Sequence, residues 1–240
     1  ARGASAAEVT AVIPHYAYAR SDKKDAPRIS IGGRLVADMI HAAGASRVLT
    51  MALHSQQVHG FFSTPVDQLT ALPVLADHFR HRDLSNTVVV SPDFGNAKDA
   101  GRFARLLGVG VAAGSKQRLG DDEVVIDTIV GDVAGKDVIV LDDEIATAGS
   151  IIELVDAVKK YGVGSISVAC THGLFTGPAV ARLNARDDIS EIVTTDTVPA
   201  PSGLERLTVC SVAPLFAEAV QRIDSGESIS SLLSSERTYG

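Results

Sequence analysis

Val138–Ile152, VIVLDDEIATAGSII, decides how the rest of the chain is read. Val138 to Leu141 has the composition of a strand buried on both faces. Two carboxylates follow, Asp142 and Asp143, and then the small residues Ala146, Thr147, Ala148, Gly149 and Ser150. Ile151 to Lys160 repeats its apolar residues with a helical period. A strand, an acidic pair, a small-residue turn and a helix N-terminus together suit an anion. The first turn of a helix offers unpaired N–H groups and the positive end of its dipole. Small side chains let the backbone approach a phosphate closely. The acidic pair can hold sugar hydroxyls or a hydrated Mg2+. Taken by itself, the loop reads equally well as an ordinary α/β turn with an aspartate serving as a helix cap. It is neither a G-x-x-x-x-G-K-[ST] loop nor a G-x-G-x-x-G turn.

Working outward, strands alternate with helices. Val9–Pro14 and Arg47–Leu53 read as strands, with a helix over Gly33–Ala43 between them. Pro65 to Asp67 read as the start of a turn, followed by a helix over Leu72–His81. Thr87–Ser91, TVVVS, is a fully buried strand that Pro92-Asp93 ends, and a helix over Ala97–Leu107 follows. Val109–Ala113 is a strand, Ser115 to Asp122 a polar mobile loop, and Val124–Val130 an edge strand. Strands at Ser165–Cys170, Ile189–Thr194 and Leu207–Ser211 and helices at Gly177–Asn184 and Ala213–Ser225 complete the order, with Thr171–Thr176 a loop. This alternation predicts mostly parallel sheets flanked by helices.

Composition bounds the function. A chain of 240 residues can bury a sizeable core, and 45% apolar content with 5% aromatic suits α/β layers. A net charge of −7 argues against a general nucleic-acid surface. Cys170 and Cys210 lie in apolar strand-like runs, which suits buried thiols in a reducing compartment. With no apolar run of membrane-spanning length and no signal peptide, the expected location is the cytoplasm and no membrane partner is expected. His54 directly follows a strand, where ligands bind in α/β proteins, although a lone histidine is more often structural; His59 is placed less favourably. The Phe61–Phe62 pair reads as core packing.

DDEIATAGS resembles the 5-phosphoribosyl-1-diphosphate (PRPP) loop of phosphoribosyltransferases and PRPP synthetases. Other stretches choose between the two. VIPHYAYARSDKKDAPRIS is similar to the loop that helps hold ATP in ribose-phosphate diphosphokinases, and LHSQQVHGFFSTPVD resembles their histidine segment. VVVSPDFGNAKDAGRFARLLG resembles the segment with their second metal ligand, and SKQR the K-x-R of their flexible catalytic loop. With GESISSLL near the C-terminus, the resemblance spans nearly the whole chain.

The resemblance implies two phosphoribosyltransferase-like domains: 1–70, incomplete and joined by the tail 215–240, and 71–214, bearing the ribose 5-phosphate loop. It implies transfer of a diphosphoryl group from ATP to ribose 5-phosphate, giving PRPP and AMP, with Mg2+ as cofactor and dimers that build a hexamer. Asp142, Asp143 and Ala146 to Ser150 would bind ribose 5-phosphate; Arg20, Ser21, Asp22 and His54 would bind ATP. His54 and Asp93 would hold the metal, and Lys116, Arg118 and His54 would be catalytic. Ala52, Ser63, Ala146 and Ser21 depart from the family pattern, which carries Asp, Asp, Asp and Gln there; Asp67 remains. The chain begins directly at a core-like strand, and an N-terminal segment of the family is expected to be missing. Two alternatives stay open: a catalytically silent regulatory subunit and a phosphoribosyltransferase.

Overall fold

The structure is a computed structural model and describes residues 1–118 and 124–233. The chain divides into two compact units: Ala1–Thr70 together with residues 229–233, and Ala71–Ser228.

In the first unit β1 (Thr10–Ile13), β2 (Arg47–Met51) and β3 (Val66–Leu69) form a parallel sheet in that order, and α1 (Gly32–Ala42) lies between β1 and β2 in sequence. The residues read as the start of a turn at Pro65–Asp67 instead lead into β3, which pairs with β2 from Val48↔Val66 to Met51↔Leu69. So short a strand, half of it polar, carries no readable period; the β2 ladder holds it. Val48 to Met51 in β2 are buried, as a central strand requires. Tyr16, Ala19, Leu53 and Val58 form a small core, with Val36, Ile40, Phe61 and Phe62 packed against it. The Tyr16 and Phe62 rings lie 5.3 Å apart, so the phenylalanine pair does pack.

The second unit carries α2 (Leu72–Phe79), β4 (Thr87–Ser91), α3 (Ala97–Leu107), β5 (Gly110–Arg118), β6 (Val124–Val130) and β7 (Asp137–Ile145). Then come α4 (Gly149–Lys159), β8 (Ile166–Gly173), α5 (Ala179–Asn184), β9 (Ile189–Thr195), β10 (Leu207–Cys210) and α6 (Ala213–Ser225). The strands form one sheet in the order β10-β9-β8-β7-β4-β5-β6. Every pair is parallel except β5–β6, with β6 at the edge as its sequence suggested.

The run Val138–Leu141 is apolar throughout because its residues feed two cores. Val138 and Val140 pack with Ile151, Leu154 and Val158 of α4 on one face. Ile139 and Leu141 pack with Phe79 of α2 and Phe103 of α3 on the other. Burying each such side chain contributes about 1.5–3 kcal/mol, which is why charge is excluded from this stretch.

The ends of several elements differ from the sequence expectation. β7 continues through Asp142, Asp143 and Glu144 to Ile145, because β8 pairs with it as far as Ile145↔Gly173. For the same reason Thr171 to Gly173 belong to a strand rather than a loop. Ser115 to Arg118, read as mobile loop, lie in β5, where they pair antiparallel with β6. That ladder shifts between Ser115 and Lys116, and Ile126 and Ile129 are both buried although three residues apart, as a bulge allows. Gly149 and Ser150 open α4, so the turn shrinks to Ala146–Ala148. Of the cysteines, both free, Cys170 is buried but Cys210 is only half-buried, because β10 is the edge strand.

Candidate active site

β4 has β5 on one side and β7 on the other, so the chain reverses its direction across the sheet between these two central strands. In open α/β sheets, ligands bind at such a switch point, beyond the carboxyl ends of the strands. Asp93 follows β4 there, and Asp142 and Asp143 lie in the last turns of β7's ladder.

Asn96 joins the two carboxylates. Its backbone N–H donates to Asp93 Oδ1 at 3.1 Å, and its Nδ2 donates to the Leu141 carbonyl at 3.1 Å and to Asp142 Oδ1 at 3.4 Å. The Leu141 carbonyl can only accept, which fixes the amide nitrogen toward β7. Asp142 Oδ1 also accepts from the Asp143 N–H at 2.9 Å. Ser91 Oγ donates to the Asp93 carbonyl at 2.8 Å and closes the turn after β4.

The turn after β7 is braced from behind. Phe175 N–H donates to the Ile145 carbonyl at 3.0 Å, and Thr176 N–H to the Ala146 carbonyl at 2.8 Å. Arg182 Nη1, from α5, donates to the Thr147 carbonyl at 2.9 Å. Ala148 takes a left-handed conformation (φ 61°) and starts α4, with no side chain capping the first N–H groups. An anion placed there meets backbone donors and the positive helix end.

Burial pushes the Asp142 carboxyl well above the usual carboxylate range, and the neighbouring charges of Asp143 and Asp93 add to the shift. Carboxylates held near one another gain from hydroxyl donors or a nearby positive charge, and among the described residues no group of three His, Cys, Asp or Glu side chains converges closely enough to hold a metal ion. Cys170, paired in register with Asp142 on β8, has its thiol pushed up to about 12 by burial and stays neutral beneath the site.

The structure therefore brings together Asp93, Asp142, Asp143 and Ala146, Thr147, Ala148, Gly149 and Ser150. Lys116 and Arg118 lie on the β5 backbone, and their side chains fall outside the described residues. In the first unit Arg20 and His54 are exposed and Asp22 half-buried. Ser21 is tied into the start of α1: its Oγ accepts from Gly32 N–H at 2.8 Å and donates to the Ser30 carbonyl at 3.2 Å. Asp67 is ion-paired with Arg47. His59 Nε2 lies 2.7 Å from Gln68 Oε1, which gives it a structural tie. Asn96 and Arg182 were not singled out from the sequence. An Asp-x-x-Asn turn after a buried strand was a usable signal for Asn96, whereas nothing local marks Arg182.

A family model for the N-terminal domain of ribose phosphate pyrophosphokinase matches residues 1–44, and one for the phosphoribosyl synthetase-associated domain matches residues 122–234. A putative ribose-phosphate pyrophosphokinase of Streptomyces coelicolor is 62% identical over 234 residues, 97% of this chain and 74% of that protein. The chain belongs to the ribose-phosphate pyrophosphokinase family. The ribose-phosphate pyrophosphokinase of Deinococcus radiodurans is 52% identical, over 97% of this chain and 74% of that protein. The crystal structure of phosphoribosylpyrophosphate synthetase from Mycobacterium smegmatis matches with a TM-score of 0.85 at 37% identity, over 94% of this chain and 74% of that one. Membership in a pyrophosphokinase family makes this chain an enzyme of the diphosphotransferase kind, built on the α/β fold described above.

Proposed function

We propose that this pyrophosphokinase carries the diphosphoryl group of ATP to the anomeric hydroxyl of ribose 5-phosphate. The observation that carries the reading is the meeting of Asp93, Asp142 and the α4 N-terminus at one switch point, in a chain 62% identical to a relative of that name. The hydroxyl oxygen bonds to the β-phosphorus and gives up its proton to solvent, the bond from that phosphorus to the α,β-bridging oxygen breaks, and AMP leaves. Such transfer is mostly positioning and charge neutralisation. The 5-phosphate sits on the N–H groups of Thr147 to Ser150, and Asp142 and Asp143 take the ribose hydroxyls. Arg20, Ser21, Asp22 and His54 serve the nucleotide. Lys116 and Arg118 supply cationic charge to the transferring phosphates.

Mg2+ is the proposed cofactor, with Asp93 as a protein ligand in the second unit; His54 in the first unit is the other metal-contacting residue that the family resemblance implies. The reading is supported by the repulsion that Asp143 and Asp93 exert on Asp142, which a hard divalent cation nearby relieves. When bound, it neutralises charge on the diphosphate. No helix among the described residues is long and apolar enough to cross a membrane. We place the protein in the cytoplasm as dimers building a hexamer, with the two units as two phosphoribosyltransferase-like domains.

The test is AMP release from ATP and Mg2+, with and without ribose 5-phosphate. Release that requires the sugar supports the assignment. A silent regulatory subunit draws support from Ala52, Ser63 and Ala146, where the family pattern carries acids; no AMP release from the protein of full natural length would favour it. Lys116→Ala is expected to lower kcat far more than it weakens ribose 5-phosphate binding; equal losses would remove Lys116 from that role.

A further inference from the structure

Asn96 bonds to the β7 terminus through its side chain and to Asp93 through its own backbone N–H. Its two ends serve different substrates in the reading above: Asp93 the metal-nucleotide side, Asp142 the sugar side. We propose that Asn96 is a positioning residue that locks these two carboxylates to each other, so that binding on either side organises the other. The inference rests on the roles proposed for Asp93 and Asp142.

Three observations carry it. The turn after β4 is anchored to β7 by Nδ2 at the Leu141 carbonyl, a backbone group that cannot move without disturbing the sheet. The same amide reaches Asp142 Oδ1 at 3.4 Å and, with the Asp143 N–H at 2.9 Å on the same oxygen, holds the rotation of that carboxyl. The backbone N–H of the same residue holds Asp93 Oδ1, so a rotation of either carboxylate is felt at one residue. A residue in contact with two ligand-bearing groups couples them if its bonds differ between the bound and unbound states. Asn96 brings donors without charge, its amide to Asp142 and its backbone N–H to Asp93, so it ties the two carboxyl groups together without neutralising either and leaves both for cation and hydroxyls.

Asn96→Ala separates these roles, because it removes the side-chain bonds to Leu141 and Asp142 but keeps the backbone N–H on Asp93. The experiment measures ribose 5-phosphate affinity by calorimetry in the whole chain, with and without Mg2+ and a non-hydrolysable ATP analogue. The variants are Asn96→Ala, Asp142→Asn and the double variant, each checked for an unchanged circular dichroism spectrum. Asn96→Ala is expected to weaken ribose 5-phosphate about tenfold, the loss of one charge-assisted hydrogen bond, and to abolish the gain in affinity that the analogue confers. In the Asp142→Asn background the same change is expected to add little. A loss that is fully additive, or an undiminished effect of the analogue in Asn96→Ala, overturns the inference while leaving the site intact. An unchanged affinity in Asp142→Asn itself overturns the site assignment instead. Asn96→Gly, which also keeps the backbone donor, is the second variant should the alanine fail to fold, and its expected outcome is the same.

Discussion

Gly173 ends β8 where a methyl group has no room. A Cβ there would meet the Phe175 ring and lie 2.6 Å from Thr194 Oγ1. Gly173→Ala is therefore expected to cost about 1–3 kcal/mol of stability, measured by urea denaturation, and to disturb the Phe175 N–H that braces the turn after β7. At Ala52 the strain runs the other way: an alanine holds a left-handed conformation (φ 44°) directly after β2. Left-handed geometry costs an L-residue about 1–2 kcal/mol, and glycine's larger backbone entropy returns about half of that. Ala52→Gly is expected to raise stability by about 0.5 kcal/mol, seen as a higher denaturation midpoint; a lower midpoint would show that the alanine methyl outweighs the strain. Asp142→Ala is expected to weaken ribose 5-phosphate binding at least tenfold, about the effect of losing a bond to a charged group. Unchanged affinity would take Asp142 out of the site.

At the scale of elements, Glu191 on β9 ties α2's end to the sheet. Arg82 donates to both its oxygens, Nη2 to Oε2 at 2.7 Å; His78 Nε2 lies 3.0 Å from Oε2, and Ser167 Oγ donates at 3.0 Å. Burial opposes ionisation of Glu191, yet the bonds from Arg82 and His78 outweigh it and its pKa falls below the ordinary 4.5. A depressed carboxylate contributes stability that is present above about 4.5 and lost as pH falls through the lower folded value. Glu191→Gln is expected to flatten that part of the acid denaturation curve; an unchanged slope would show that the tie carries no net stability. Elements with local causes were legible in sequence. TVVVS gave β4, α3 ends at Gly108, whose φ of 71° suits glycine, and α6 begins with Pro214 near its start and stops at Gly226. Elements with distant causes were not. β7 and β8 lengthen each other, β3 exists through β2, and β5 runs on because β6 folds back on it. The acidic pair and the small-residue turn could be seen because they are contiguous. Asn96 showed only its local Asp-x-x-Asn turn, since its partner Asp142 lies 46 residues away, and Arg182, whose partner lies 35 residues away, showed nothing.

At the scale of the whole molecule, the first unit carries an alkaline sensitivity of its own. Tyr16 in the first unit donates its hydroxyl to the Gly33 carbonyl at 2.7 Å, and burial pushes its pKa up to about 12. A raised pKa contributes stability that is fully present below the unfolded value of 10.0 and lost as pH rises through about 12. Amide exchange is expected to show the first unit losing protection across that window, and Tyr16→Phe to remove the effect. The reversal of direction between β4 and β7 also sets an order of events in time. Thr87 pairs with Asp137, fifty residues further along, across a segment that first folds into α3, β5 and β6. Closing so long a loop is slow compared with local pairing. A chain growing from the ribosome can make the β4–β5 pair early, but the seam that brings Asp142 beside Asn96 must wait for β7. The candidate site is thus assembled late, and a chain halted before β7 would hold Asp93 with no counterpart across the seam.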